Sequence, residues 1–250
     1  MVNTGELIDR FRELFPGTGP AWTVRAPGRV NLIGEHTDYN DGFVLPIAMS
    51  QALHVVAGPA ADDRITVHST AYGQTASFPA ADPGPPGEPF WSNYPRGVAE
   101  MLRREGVRLP PVRLLIHSDV PLGGGVSSSA ALEVGCALAM LAAAGESFDP
   151  VRLALLARRA EHEYAGSPCG IMDQFICVLG RADHALLLDC RSRTFEHVPL
   201  PLAGRVLLVV NTQVRHELGS SEYPVRQQQC RAGLEQLRRH FPEVQSLRDA

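Results

Sequence analysis

Between Arg25 and Tyr39 the chain reads Arg-Ala-Pro-Gly-Arg-Val-Asn-Leu-Ile-Gly-Glu-His-Thr-Asp-Tyr, which gathers Arg29, Asn31, Glu35, His36, Asp38 and Tyr39 around two glycines and a proline. That is a denser set of hydrogen-bonding side chains than a core strand tolerates. Carboxylates and an imidazole in one short stretch can accept paired hydrogen bonds from neighbouring hydroxyl groups, and such a site rejects analogues that lack a hydroxyl. The pattern points to a polyhydroxylated ligand; a solvated turn rich in Asp, Asn and His is the alternative.

A second segment, Pro121-Leu-Gly-Gly-Gly-Val-Ser-Ser-Ser129, follows a strand pattern and opens a long apolar helical one. Gly123, Gly124 and Gly125 allow positive φ and close backbone approach, while Ser127, Ser128 and Ser129 offer caps and N–H groups where a helix dipole favours anions. A serine hydroxyl here is also a potential Mg2+ ligand. An ordinary turn before a capped helix is the competing reading. The third segment runs from Ala160 to Phe175. Glu161 lies at the flank of a helical stripe of Leu153, Leu156, Ala157, Ala160 and Tyr164, Gly166 and Pro168 break that helix, and Asp173 opens the next apolar run. A helix N-terminal acid stabilised by the dipole is the plainer role for Asp173.

Composition narrows the chemistry. All 23 basic residues of the 250 are arginine, against 27 acidic ones, for a formal charge of −4. Without lysine, a Walker-type phosphate loop, a Schiff base and a lysine general base are excluded, so anions must be met by arginine, backbone N–H groups or a metal. The mixed charge predicts no nucleic-acid or membrane-surface partner. The first ten residues lack a signal-peptide pattern, and the longest apolar stretch, Ala130 to Gly145, is interrupted by Glu133 and too short to span a bilayer. Five cysteines without a Cys-x-x-Cys pair argue against a disulfide framework, so a cytoplasmic location is expected.

The elements that must position these segments follow from periodicity. Helices are predicted over residues 3–15, Ser92 to Glu105, Ser127 to Gly145, Pro150 to Ala165 and Tyr223 to Phe241. Strands are predicted at Trp22 to Ala26, Ala52 to Ala57, Arg64 to Ser69, Val112 to His117, His184 to Asp189 and Arg205 to Asn211. The mixture lacks a steady βαβ repeat, which predicts an α+β fold. Residues 79–89, rich in Pro and Gly, read as a rigid surface connection. A domain boundary falls near Pro199 to Gly204, leaving 205–250 as the start of a second domain too small for its own core. His54, His68, His117 and His184 have no metal-ligand spacing and read as satisfied or surface histidines. The arginines at 226, 231, 238 and 239 read as a solvated helix face.

The motif Gly-Arg-Val-Asn-Leu-Ile-Gly-Glu-His-Thr-Asp-Tyr resembles the signature of galactokinases. The loop Pro-Leu-Gly-Gly-Gly-Val-Ser-Ser-Ser-Ala resembles the ATP motif of the wider galacto-, homoserine, mevalonate and phosphomevalonate (GHMP) kinase superfamily, and Cys-Gly-Ile-Met-Asp-Gln-Phe is also galactokinase-like. The resemblance implies a GHMP kinase fold, with an N-terminal ribosomal-protein-S5-domain-2-like domain over 1–204. It implies ATP-dependent phosphorylation of the anomeric hydroxyl of α-D-galactose, by a monomer. Position by position, it implies sugar contacts at Glu35, His36, Thr37, Asp38, Gly170 and Tyr223, and a nucleotide loop from Gly123 through Gly124, Gly125, Val126, Ser127 and Ser128 to Ser129. Contacts near the adenine are implied at Ser69 and Trp91. Ser129 and Glu161 match Mg2+ ligands, Asp173 the general base, and Arg29 the residue that orients it and stabilises charge. A kinase for a related sugar such as N-acetylgalactosamine is one alternative. A non-catalytic galactose and ATP sensor is another, against which the intact Ser127-Ser-Ser-Ala-Ala131 run speaks. Family members extend further and carry a third glycine-rich motif that has no counterpart after Arg205, so an inactive fragment with an exposed apolar face is a further expectation.

Overall fold

The computed structural model describes residues 3–211 and 222–250. Eight strands form one mixed sheet: β1 (Trp22–Asn31), β2 (Phe43–Val44), β3 (Pro46–Pro59), β4 (Arg64–Ser69), β5 (Gln74–Pro79), β6 (Val112–Ser118), β7 (His184–Asp189) and β8 (Phe195–Pro199). The 14-residue β3 is its spine. β1 lies antiparallel along one side of it, from Trp22 opposite Ala57 to Asn31 opposite Pro46. β6 and the start of β7 share the other side. The one parallel pair among the described strands, β4 with β6, carries the ends of both strands to the same sheet edge.

Helices α2 (Asn93–Arg104), α3 (Ser128–Ala144), α4 (Pro150–Ala160) and α5 (Met172–Leu179) belong to the cores that cover one face of the sheet. The apolar α3 is buried along nearly its whole length, against Leu53 and Val55 of β3. A helix enclosed on all sides needs no polar stripe, which is why its sequence shows so little amphipathic alternation. Helix α1 (Thr4–Leu14) places Leu7 and Phe11 against Val56 and Leu115, residues of β3 and β6 outside the main core cluster. Helix α6 (Glu222–Arg238) is the opposite of α3: of its described side chains only Gln227 is buried. No described helix is long and apolar enough to cross a membrane.

Two expectations are corrected. The strand expected at Arg205 to Asn211 does not form, and Val206, Leu208 and Val210 are 89, 84 and 69% exposed. Its run of five apolar residues has strand propensity, but no described sheet edge supplies a ladder for them, and propensity alone does not hold a strand. The helix expected to run unbroken to Ala165 changes at Glu161 into one turn of π-helix, Glu161–Ala165. Three strands, β2, β5 and β8, were not legible; all are short and carry exposed residues. The predicted connection over residues 79–89 does cross the surface into α2. His68, His117 and His184 each hydrogen-bond a neighbouring oxygen through Nδ1.

Candidate active site

β1 carries Arg29 and delivers the chain into the loop that follows. Arg29 Nε and Nη2 donate to the two carboxylate oxygens of Asp173 at 2.8 and 2.9 Å, and Nη1 donates to the Gly125 carbonyl at 2.6 Å. A planar guanidinium is suited to this fork because its donors lie in one rigid plane. One side chain thus joins the first segment to the glycine loop and to the third segment. Gly28 makes the approach possible: a Cβ there would stand 2.9 Å from the Val126 carbonyl, the same carbonyl that accepts from Arg29 N–H at 3.1 Å.

The loop residues Pro121 to Gly123 and Gly125 are exposed, while Val126 and Ser127 are buried beneath them. Gly123 and Gly125 adopt φ of +67°, as the three-glycine run predicts. Ser127, at φ +62°, does not behave as expected: its side chain makes no capping bond to α3, and its Oγ is buried without a hydrogen-bond partner. The first turn of α3 therefore keeps its N–H groups available to an anion, with an orphaned hydroxyl beside them.

Asp173 occupies the first turn of α5, as a dipole-stabilised acid would. Asp38 reaches the same place from the first segment, 3.5 Å from the Met172 N–H. Burial pushes the Asp38 carboxyl above its ordinary range, and the Asp173 charge adds to this. Gly170 is required here: a Cβ would lie 1.6 Å from Asp38 Oδ2. The Gly170 N–H donates to the Tyr223 hydroxyl at 3.1 Å, and the Tyr223 ring lies 5.7 Å from His36 and 5.4 Å from Tyr39. Glu35 is exposed and accepts from Asn31 Nδ2 at 2.8 Å, while the Asn31 Oδ1 is buried without a partner. Thr37 differs from the rest: its hydroxyl lies 2.7 Å from the Gly34 carbonyl and 2.6 Å from that of Phe43. It closes the loop on itself.

Glu161, 5% exposed, begins the π turn. Burial raises its pKa, the Asp173 charge raises it further, and hydrogen bonds from Cys169, Ser129 and Gln174 oppose the rise. Two functional neighbours escaped the sequence reading. Gln174, fully buried, donates through Nε2 to Glu161 at 2.7 Å and to Glu133 at 3.0 Å. Glu133 is likewise fully buried, and burial holds its carboxyl well above the glutamate range. Its signal was visible as the one charge inside the apolar run of α3.

A serine hydroxyl and a glutamate carboxyl are hard oxygen donors of the kind Mg2+ takes together with phosphate and water. Ser129 and Glu161 fit that ion. Ser69 and Trp91 also meet around one residue: Gln74 pairs with Ser69 across β4 and β5, and its Oε1 accepts from Trp91 Nε1 at 2.9 Å. Tyr72, half exposed, stacks on Trp91 with a 5.8 Å centroid separation and a 7° interplanar angle.

Comparison with known proteins agrees with this arrangement. The galactokinase galactose-binding signature matches residues 9–59, and the GHMP kinases N terminal domain matches 93–181. A galactokinase of Roseiflexus sp. is 45% identical over 249 residues, covering 100% of this chain and 63% of that protein. The Homo sapiens galactokinase is 44% identical, covering 96% of this chain and 64% of its own length. The chain thus spans under two thirds of these relatives. The crystal structure of Lactococcus lactis galactokinase complexed with galactose superposes with a TM-score of 0.90 at 29% identity, over 99% of this chain and 64% of that one. Methanococcus jannaschii mevalonate kinase, at 16% identity and a TM-score of 0.59, shares the fold. With its sheet, its three motif segments and its relatives all in agreement, the chain belongs to the galactokinase family of GHMP kinases.

Proposed function

We propose that this chain phosphorylates the anomeric hydroxyl of α-D-galactose from ATP, giving galactose 1-phosphate and ADP. The observation that carries the reading is the two-pronged Arg29–Asp173 pair, bonded to the glycine loop on one side and adjoining Asp38 and Gly170 on the other. Sugar and nucleotide recognition converge on one carboxylate.

Asp38, Glu35 and His36 bind the sugar hydroxyls, and Tyr223 over Gly170 closes that side. Asp173 takes the proton of the anomeric hydroxyl as its oxygen bonds to the γ-phosphorus and the bond to ADP breaks. Arg29 holds the Asp173 carboxylate in one orientation and presents positive charge to the migrating phosphoryl group. Phosphoryl transfer asks a protein mainly for positioning and charge neutralisation, which matches this inventory. The Gly123–Ser129 loop and the open first turn of α3 cradle the phosphates without a lysine. Mg2+ held by Ser129 and Glu161 supplies further neutralisation of phosphate charge when bound. Thr37 acts through the loop fold, while Ser69 and Trp91 support the corner where the adenine is received.

The test is calorimetric binding of galactose and of an ATP analogue to the 250-residue chain, followed by ADP release with both substrates. Saturable binding of both ligands with galactose-dependent ADP release supports the reading; absence of galactose binding overturns it.

A further inference from the structure

Helix α6 carries Tyr223 to the sugar side of the site, yet almost nothing of it is buried. Its near end is tied by the Tyr223 hydroxyl on Gly170 N–H and by Gln227 Nε2, which donates to the Pro168 carbonyl at 2.6 Å. Its far end is tied differently. Arg238 donates to the Val244 and Gln245 carbonyls at 2.9 and 2.6 Å, passing the chain into a short capped turn, Leu247–Asp249. From that turn Arg248 reaches back to the sheet. Its guanidinium donates to Asp189 Oδ1 and Oδ2 at 2.5 and 3.1 Å and to the Asp41 carbonyl at 2.9 Å, and it stacks on the Phe43 ring at 4.3 Å. Arg191 locks the same turn from below, through Ser246 Oγ at 2.8 Å and Asp249 Oδ1 at 2.6 Å.

Asp41 and Phe43 flank the end of the loop that holds Glu35, His36 and Asp38, and the Gly42 carbonyl accepts from Cys190 N–H at 2.9 Å. The segment over 244–250 therefore grips two things at once: the sugar-binding loop, through Arg248, and the far end of the helix that bears Tyr223, through the Val244 and Gln245 carbonyls. We infer that Arg248 is a positioning residue for the sugar site, acting through the Asp41 carbonyl and Phe43 on the Gly34–Gly42 loop and through the 246–250 turn on α6. It does not touch the ligand.

An exposed helix without a buried apolar face gains little from burial, so its orientation depends on a few discrete bonds. A forked pair that also bonds a backbone carbonyl and covers an aromatic ring is stronger than an ordinary surface ion pair. Asp41, Asp189, Arg191 and Asp249 are the charged groups facing Arg248. The Arg248 guanidinium holds the Asp189 carboxyl down at about 2, so the clamp stays charged on both sides at any assay pH near neutrality.

The inference rests on the sugar-site reading above, and the test separates the two. Hydrogen exchange by mass spectrometry is measured on the wild-type chain, Arg248→Met and, from the other partner, Asp189→Asn, alongside galactose and ATP-analogue affinities by calorimetry. Both variants should speed exchange over residues 38–44 and 222–238 by about tenfold or more, the equivalent of about 1.4 kcal/mol of local opening, with β3 and β6 unchanged. Galactose affinity should fall several-fold with nucleotide affinity retained, and Arg248→Lys, which keeps charge but not the fork, should recover part of it. Unchanged exchange in both variants overturns the clamp. Faster exchange with unchanged galactose affinity overturns its positioning role. Failure of the wild-type chain to bind galactose overturns the proposed function and with it that positioning role, while the exchange data still decide whether the clamp exists.

Discussion

Arg29 and Asp173 stand 144 positions apart in the chain and meet through two parallel hydrogen bonds of 2.8 and 2.9 Å, with side chains only 15 and 24% exposed. A forked pair at that depth fixes the orientation of the carboxylate and leaves its remaining lone pairs toward the site. Replacing Asp173 by Asn keeps the shape and removes the proton acceptor. Turnover should fall by about 100-fold or more, the range a positioned base supplies, with galactose affinity largely retained. Steady-state ADP release and calorimetry on the same preparation check it; near-wild-type turnover would end the assignment.

Arg29→Lys should not restore the rate. An ammonium can meet one oxygen of Asp173 but cannot also hold the other and the Gly125 carbonyl in one plane. The expected signature is a lowered kcat with nucleotide and galactose affinities close to wild type.

Gly170→Ala tests the sugar side by sterics alone. The new methyl would coincide with the Asp38 carboxylate, 1.6 Å from Oδ2, so Asp38 or the backbone must move. Overpacking of this kind costs about 1–3 kcal/mol. Thermal melting should register the loss, and galactose binding should weaken more than nucleotide binding does.

Glu133 gives a pH test of the buried acids. Its carboxyl titrates well above the ordinary 4.5 because burial disfavours the charge. A folded-state value above the unfolded one means that its contribution to stability is complete below about 4.5 and is lost as pH rises through the folded value. Glu133→Gln keeps an acceptor for Gln174 and removes the titration, so it should stabilise the chain near neutral pH, where burying the ionisable form opposes folding. The difference should close below pH 4.5. Equal melting temperatures for the two proteins at pH 8 would contradict it.

Gln174→Met removes the two hydrogen bonds that hold Glu133 and Glu161 in place, with little change in volume. The Mg2+ concentration needed for half-maximal nucleotide binding should rise several-fold, because a ligand carboxylate loses its support. Galactose affinity, which the proposed function assigns to Asp38 and the loop after β1, should not follow. Titration of Mg2+ at fixed nucleotide reads the effect directly.

The residues from Arg25 to Tyr39, the glycine-serine loop and the Asp173 segment could be picked out in one dimension, because each packs unusual residue types into a short span, and the structure brings the three together at Arg29. The absence of lysine likewise fixed what kind of phosphate cradle could exist. Helices α1, α2, α3 and α6 were legible because local periodicity and breakers decide them, and the spine of the sheet because β-branched runs do. What periodicity could not supply was partnership. Arg205 to Asn211 has the composition of a strand and forms none, while β5 and β8, poorer in apolar residues, form because β4 and β7 each offer them a hairpin partner. Nothing in the sequence singled out Gln174, whose amide meets two buried carboxylates, or Arg248, on which Asp189 and the Asp41 carbonyl close. Sequence alone determines which groups can do the chemistry, since that depends on side-chain type and short spacing. The tertiary structure decides which of them are buried, paired and aimed, since those energies depend on contacts between residues that the chain itself keeps far apart.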